Sequence, residues 1–438
     1  MSSLGKIILF SLLAKLVISA AIPLTADEAY YWVWSQHMQL SYYDHPPFVA
    51  WLYALGDFFK FAPGSVRWPG VILAQATLVI WLRILRRFLT DDQRKMWLWL
   101  ALLSPLVGGS AIVVTPDLPL MFFYALSLWF YFRWERDPRW WVSLLFGSAI
   151  GLGISSKYMM VLFAISLLPI VLWGRASRRQ LLKSLPWLVL GGLVGSLPVW
   201  MWNYLHDFAS IKFQTAHGLG KKQWKPSWTI EYFFAQIGLI FPIVLYWALR
   251  AKRQLPLAFH FLAWTPLLFF FFTTSRGYVE ANWPIVAYPC IFALAVSSFP
   301  RNAKGLRFTA GFWGFAMAAL LVIILGQPTW SHDHKFREFH RFDAIAEKGR
   351  DLQPLYARSY QMAAKMTFDM GRPIYKLRGM NRKDFFDYLD QSEPKEKVYY
   401  WAAEKTDKLP VQYKGAGHVE TEVIPVDDVY EIRRIEVK

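Results

Sequence analysis

Cysteine is all but missing from this chain: among 438 residues there is one, Cys290. No intramolecular disulfide can form, so every part of the fold must be held by packing, whatever the redox state around it. Charge is scarce as well, at 18% of residues, where soluble globular domains average roughly 25%. Beside 55% hydrophobic and 18% aromatic residues, that deficit excludes an ordinary soluble domain. Acids are the scarcest: 31 against 48 lysines and arginines, for a net charge of +17. No phosphate-cradling Gly-x-x-x-x-Gly-Lys loop and no Gly-x-Ser-x-Gly elbow occurs, so motifs support neither nucleotide-driven coupling nor a serine nucleophile. Internal repeats and low-complexity tracts are missing too.

What the chain does have is apolar runs of roughly 17–25 residues, the length that crosses a bilayer. They lie near 5–22, 69–89, 97–114, 118–133, 140–156, 158–173, 185–202, 232–249, 256–273, 283–299 and 308–326, and read as about eleven spans. Basic residues fall in every second gap. Arg83, Arg86, Arg87, Arg94 and Lys95 share one; Arg133, Arg136 and Arg139 the next; then Arg175, Arg178, Arg179 and Lys183; then Arg250, Lys252 and Arg253; then Arg301, Lys304 and Arg307. The positive-inside rule makes those gaps cytoplasmic, together with the amino terminus and Lys6. Basic charge is thereby accounted for by topology, and no nucleic-acid partner is needed. The first run is read as an uncleaved span, although Ile18-Ser19-Ala20-Ala21 would also suit a signal-peptide cleavage site. Lys15 in its middle either snorkels to an interface or pairs with an acid on a neighbouring helix.

After residue 326 the character changes. Short β-rich runs at 354–360, 373–377, 397–401 and 429–437 alternate with helical spacing over 361–370 and 382–389. The expectation is a transmembrane region over 1–326 and a small α/β domain over 327–438 on the outward side of the membrane.

The outward gaps hold a different population from the basic ones. The first, about 23–68, contains Asp27, Glu28, Tyr30, Tyr31, Tyr43, Asp44 and His45. Others contain Asp117; then Lys157 and Tyr158; then Asn203, Gln214, His217, Lys221, Lys222 and Lys225; then Arg276, Glu280 and Asn282. Ionisable groups at membrane depth are costly and point to function by default, and acids and bases among aromatics suit a polar cavity. Each also has a plainer role. Asp27 could cap a helix, Lys157 could anchor a span end, and the lysines of the long gap could be a solvated face. His332, Asp333 and His334 have metal-ligating side chains, but no ligand spacing completes them. Gly151 and Gly153 sit inside a span and read as helix packing rather than a dinucleotide fingerprint.

Several stretches, in order, resemble one family. They are Asp27-Glu28-Ala29-Tyr30-Tyr31-Trp32 with Tyr43-Asp44-His45-Pro46-Pro47, Thr115-Pro116-Asp117-Leu118-Pro119-Leu120, Ser156-Lys157-Tyr158, Phe213-Gln214 with His217-Gly218, and Glu280-Ala281-Asn282-Trp283-Pro284. The chain is similar along its length to bacterial glycosyltransferases of the GT-C fold, in the branch of the protein O-mannosyltransferases and the lipid A aminoarabinose transferase. The small tail domain leans to the second. That resemblance implies transfer of one sugar from a polyprenyl-phosphate donor to an envelope acceptor, lipid A or another lipopolysaccharide component. It implies Asp27 as catalytic base and Lys157, Arg276 and His45 at the donor phosphate. Glu28, Tyr30, Tyr31, Tyr43, Asp44, Asp117, Tyr158, Gln214, His217, Glu280 and Asn282 are then substrate-binding. No cofactor is required; Asp44, His45 and Glu280 are the set to which a divalent metal would go. Members near the aminoarabinose transferase carry Glu-Lys-Pro-Pro where this chain has Asp44-His45-Pro46-Pro47; a histidine can be neutral where a lysine is cationic, so the acceptor phosphate recognised there need not be the acceptor here. A transporter or flippase would instead place its site near the midplane between broken helices.

Overall fold

The computed structural model describes residues 3–220, 223–251, 254–299, 304–326 and 338–438. His332, Asp333, His334, Lys221 and Lys222 lie outside them. In chain order the helices are α1 Ser3–Ala21, α2 Ala26–Gln36, α3 Phe48–Gly56, α4 Trp68–Leu85, α5 Asp91–Leu103, α6 Pro105–Gly109, α7 Asp117–Trp134 and α8 Trp140–Ile154. They continue as α9 Val161–Trp173, α10 Arg175–Leu205, α11 Ala209–Leu219, α12 Pro226–Ile240, α13 Pro242–Leu249, α14 Leu257–Thr273, α15 Tyr288–Ser298 and α16 Gly305–Gly326. The chain forms two compact units. One is Met1–Ala20, Gln39–Phe61 and Ser65–Val322; the other is Ala21–Met38, Ala62–Gly64 and Ile323–Lys438.

The first unit is all helix. Among the described residues, four helices have the length and apolar composition to cross a membrane: Ser3–Ala21, Pro63–Leu85, Arg178–Leu205 and Gly305–Gly326. A fifth results if α12 and α13 are one broken span, bent by 89°. Shorter apolar helices include Trp140–Ile154, Tyr158–Trp173, Leu257–Thr273 and Ile285–Ser298. Two of the apolar runs are interrupted, and proline is the reason. Pro105 has no N–H and pushes the residue before it out of the α region, so Ser104 turns extended (ψ 131°) and α5 stops. Pro242 does the same to Phe241, which sits at φ 73°.

Packing follows the sequence closely in one seam. Between α8 and α10, a Cβ on Gly147 would stand 2.1 Å from the Leu188 carbonyl oxygen, and one on Gly151 2.3 Å from that of Gly192. Only glycine permits this backbone approach, the small-residue packing used between membrane helices. Polar groups inside the unit find one another. Lys15 is buried and donates to the Gln75 Oε1 amide oxygen at 3.2 Å; among the described residues it meets no acid, and its burial among helices is not snorkelling. Gln75 Nε2 in turn donates to the Ile8 carbonyl at 2.6 Å and Ser11 Oγ at 2.8 Å. Trp97 Nε1 donates to the Pro289 carbonyl at 2.9 Å within an aromatic and aliphatic core that includes Trp81 and Phe259.

The second unit is α/β. It adds α17 Asp343–Lys348, β1 Leu355–Ala357, α18 Tyr360–Met370, β2 Tyr375–Lys376, β3 Val398–Glu404, α19 Val411–Gly415, β4 His418–Pro425 and β5 Tyr430–Val437. The sheet order is β2-β1-β3-β5-β4, with β1 parallel to both neighbours and β3, β5 and β4 antiparallel in turn. Ser359 caps α18 and Gly371 ends it at φ 65°, a conformation that glycine adopts at no steric cost. On β2, Lys376 is fully buried, and its ammonium donates to Asp384 at 2.7 Å. α2 belongs to this unit and packs on α18, with ring centroids 4.5 Å apart for Tyr30 and Tyr360 and 4.9 Å for Trp32 and Phe368.

Candidate active site

Three chain segments far apart in sequence meet at Asp117. α7 opens with this residue directly after Pro116, where a carboxylate is favoured by the helix dipole. α8 ends at Ile154, held down by its glycine seam and by Ser155 Oγ donating to the Gly195 carbonyl at 2.7 Å. The chain then goes extended at Lys157 (φ −161°, ψ 137°) before the next helix starts. That kink sends the ammonium to Asp117 Oδ1 at 2.7 Å. The other carboxylate oxygen accepts from Asn282 Nδ2 at 2.8 Å. The side chains of Lys157 and Asp117 are only 10% and 4% exposed. Such a pair must be well hydrogen-bonded to be tolerated, and the third member, Asn282, supplies the extra bond.

Two further gaps join them. The Phe48 N–H donates to the Ser155 carbonyl at 3.1 Å, which brings the 42–47 loop to the end of α8. Gln214 Nε2 donates to the Asp44 carbonyl, and the Tyr43 and Phe213 rings stand 4.8 Å apart. Tyr158 Oη accepts from Asn203 Nδ2 at 3.1 Å and donates to Ser210 Oγ at 3.0 Å. Asp44, Asp117, Lys157, Tyr158, Gln214 and Asn282 are thus linked through one fold unit. Arg276 and Glu280 lie exposed between α14 and α15, and His45 is half-buried beside Asp44 in the chain. The side chain of His217 is outside the described residues.

Asp27, Glu28, Tyr30 and Tyr31 lie in the other unit, on α2. The cap of α2 is Thr25 rather than Asp27. Thr25 Oγ1 accepts from the Glu28 N–H at 3.2 Å, and Glu28 Oε2 accepts from the Thr25 N–H at 3.1 Å, a complete capping box. Glu28 is therefore fully buried at a structural post, and Asp27 is not needed to start the helix. Tyr30 Oη accepts from the Phe385 N–H at 2.9 Å. Asp27 Oδ1 accepts from Gln361 Nε2 at 3.4 Å. Glu338 completes these surroundings: burial first, and the charge of Asp27 second, hold its carboxyl above the ordinary glutamate range. Neither Gln361 nor Glu338 is marked out by the sequence. Among the described residues, no three His, Cys, Asp or Glu side chains converge as metal ligands.

With this geometry in view, comparison with known proteins is informative. Residues 44–202 match a family model described as dolichyl-phosphate-mannose-protein mannosyltransferase. The lipid A galacturonosyltransferase RgtD of Rhizobium johnstonii is 28% identical over 314 residues, 66% of this chain and 64% of that protein. The lipopolysaccharide core galacturonosyltransferase RgtA of the same organism is 29% identical over 194 residues, 42% of this chain and 38% of its own length. The match therefore spans less than two thirds of each of these curated relatives. A crystal structure of ArnT from Cupriavidus metallidurans bound to undecaprenyl phosphate superposes with a TM-score of 0.68 at 14% identity, over 99% of this chain and 98% of that one. The fold is thus that of a polytopic helical membrane protein of GT-C type. Within that class, residues 44–202 are similar to the protein mannosyltransferase family model, and longer stretches of the chain are similar to the two galacturonosyltransferases.

Proposed function

We propose that the protein transfers a single sugar from a polyprenyl-phosphate donor to lipid A or another lipopolysaccharide component, at the periplasmic face of a bacterial inner membrane. The observation that carries this reading is the buried Lys157–Asp117–Asn282 cluster at the helix ends. A lipid-anchored donor leaves its tail in the bilayer and presents sugar and phosphate at the surface, so a nucleotide site is superfluous. In the reaction, the acceptor hydroxyl oxygen bonds to the anomeric carbon while the bond from that carbon to the phosphate oxygen breaks. The hydroxyl proton goes to a carboxylate, assigned to Asp27. The leaving polyprenyl phosphate needs cations rather than an acid, assigned to Lys157, Arg276 and His45. Asp117 and Asn282 orient Lys157, and direct displacement inverts the anomeric carbon. Tyr43, Asp44, Tyr158, Gln214, His217 and Glu280 are assigned to the substrates, and Tyr30 and Tyr31 to shaping the surroundings of the base.

The names of the curated relatives support a lipopolysaccharide acceptor. The description of the family model supports a second reading, transfer to a protein hydroxyl. Mass spectrometry of lipid A, lipopolysaccharide core and envelope proteins, from cells with and without the gene, decides between them. Loss of one sugar mass from lipid A or core, restored by wild type but not by Asp27→Asn, is the expected result. An unchanged glycan inventory, with lipid-linked sugar piling up on one leaflet, would refute the transferase in favour of a flippase.

A pH experiment probes the neighbourhood of the base. Glu338 keeps its proton to higher pH than an ordinary glutamate, whose pKa is about 4.3. The acid limb of the pH–rate profile is therefore expected to have two steps, belonging to the Asp27–Glu338 pair jointly. In Glu338→Gln the upper step should vanish and a single ionisation remain. A two-step limb that survives the substitution shows that Glu338 does not influence the base.

A further inference from the structure

The helical unit contains a hollow, none of whose walls belongs to the candidate site. About 180 Å³ in volume, it lies among α7, α8, α9 and α10, bounded by Phe146, Ala164, Leu168, Val171, Leu181 and Leu188. The polar groups at its edge have partners. Tyr131 Oη donates to Glu135 Oε1 at 2.7 Å, and Trp134 Nε1 to Ser184 Oγ at 2.9 Å. The wall therefore offers hydrocarbon and aromatic surface and few of the two to four polar contacts that an ordered water needs. The hollow is open to the outside of the bundle, because Ala164 is exposed and Leu168 is 49% exposed. Leu172, Leu182 and Leu185 on the same two helices are exposed as well, so the opening faces the apolar interior of the bilayer.

One end of the hollow is basic. Trp134 ends α7 and is tied to α10 at two points, since its carbonyl accepts from Gln180 Nε2 and its indole reaches Ser184. Around these ties stand Arg136, just past α7, and Arg178, Arg179 and Lys183 on α10, all exposed. Among the described residues, none of these four cations has an ion pair. The two acids that flank Arg136 in sequence are both engaged: Glu135 Oε1 accepts from Tyr131 Oη at 2.7 Å, and Asp137 Oδ1 accepts from Arg139 Nε at 2.9 Å. The excess is felt by a neighbour: burial, and after it the charge of Arg136, hold the Arg87 guanidinium below its ordinary range. Cations collected beside a hydrocarbon hollow at one end of a helix group are what an anionic lipid headgroup recognises.

We propose that this hollow is a binding site for an anionic phospholipid, with one acyl chain between α8, α9 and α10 and the headgroup phosphate on Arg136, Arg178, Arg179 and Lys183. The site rests on the membrane reading of the fold and is independent of the transferase assignment. It is a structural lipid site at the arginine-rich helix ends, distinct from any donor site.

The full-length protein in phosphatidylcholine vesicles, doped with phosphatidylglycerol carrying a mid-chain diazirine, tests this directly. After irradiation, label is expected on peptides covering 161–173 and 181–192. Unlabelled phosphatidylglycerol should displace it and phosphatidylcholine should not. Ala164→Trp fills the hollow and should reduce labelling there to the level of the exposed helix α16. Replacing Arg178, Arg179 and Lys183 with glutamine leaves the hollow intact and should erode the phosphatidylglycerol preference by about fivefold per charge. These cations are surface residues, so that arm stays informative if Ala164→Trp does not fold. Label displaced equally by both phospholipids, or a preference untouched by the glutamines, overturns the proposal. So does label displaced by polyprenyl phosphate but not by phosphatidylglycerol, which would make the hollow a seat for the donor tail.

Discussion

Asp27→Asn is expected to cut transfer about 10²- to 10⁴-fold, the range that a positioned general base contributes. The substitution keeps the size and the hydrogen-bonding oxygen of the side chain, so the bond from Gln361 can persist. It also leaves α2 its own cap, because Thr25 and Glu28 close the capping box without Asp27. Folding and donor binding are therefore expected to be near those of wild type, with the loss confined to kcat. Single-turnover transfer from a purified polyprenyl-phosphate sugar, read beside thermal unfolding and donor titration, measures all three. Turnover near the wild-type rate would remove Asp27 as the base. A matching collapse of stability would mean that the residue holds α2 in place instead.

Much of the site was legible because membrane depth is an unforgiving place for charge. Asp117 and Lys157 stand at the ends of apolar runs, where an ionisable group without a use is expensive, and Asn282 is a polar amide in the same kind of place. That cost marks the residues but not their partners. The Lys157–Asp117 bond bridges 40 positions and exists because the α8–α10 glycine seam fixes where α8 ends. The Thr25-x-x-Glu28 box was readable from spacing alone, yet the charge of Asp27 draws the eye first. Gln361 sits beside Asp27 through the packing of α2 on α18, Glu338 comes from the segment before α17, and no local pattern announces either. Lys15 shows the same limit, since an amide on another helix satisfies a cation whose expected mate was an acid.

The fold divides in the same way. α18 was visible through its helical spacing over 361–370, and the structure adds the Ser359 cap and the Gly371 stop. Strand β4, His418–Pro425, was not, because its side chains are largely exposed and polar; it exists through pairing with β5. Run-length reading also smooths over Ser104-Pro105 and Phe241-Pro242, where one proline each interrupts an otherwise continuous apolar stretch.

The other large effect is expected at the buried pair. Asp117→Ala leaves the Lys157 ammonium buried without its counter-charge and Asn282 without its acceptor. Breaking such a pair from one side typically costs about 3–5 kcal/mol, so this variant should unfold at clearly lower temperature and be inactive for that reason. Lys157→Ala also removes the donor-phosphate cation, and its donor affinity should fall even where folded protein is recovered. A double replacement, Asp117→Asn with Lys157→Met, separates the two roles. It removes both charges together, which is often neutral for stability, so its thermal midpoint should recover towards wild type. Its donor affinity should not recover, because no cation remains at that position to meet a phosphate. If stability and transfer both return in the double variant, the pair is scaffolding only, and the phosphate must be held by Arg276 and His45 instead. If stability returns alone, Lys157 is there for the substrate, and Asp117 and Asn282 are there for Lys157.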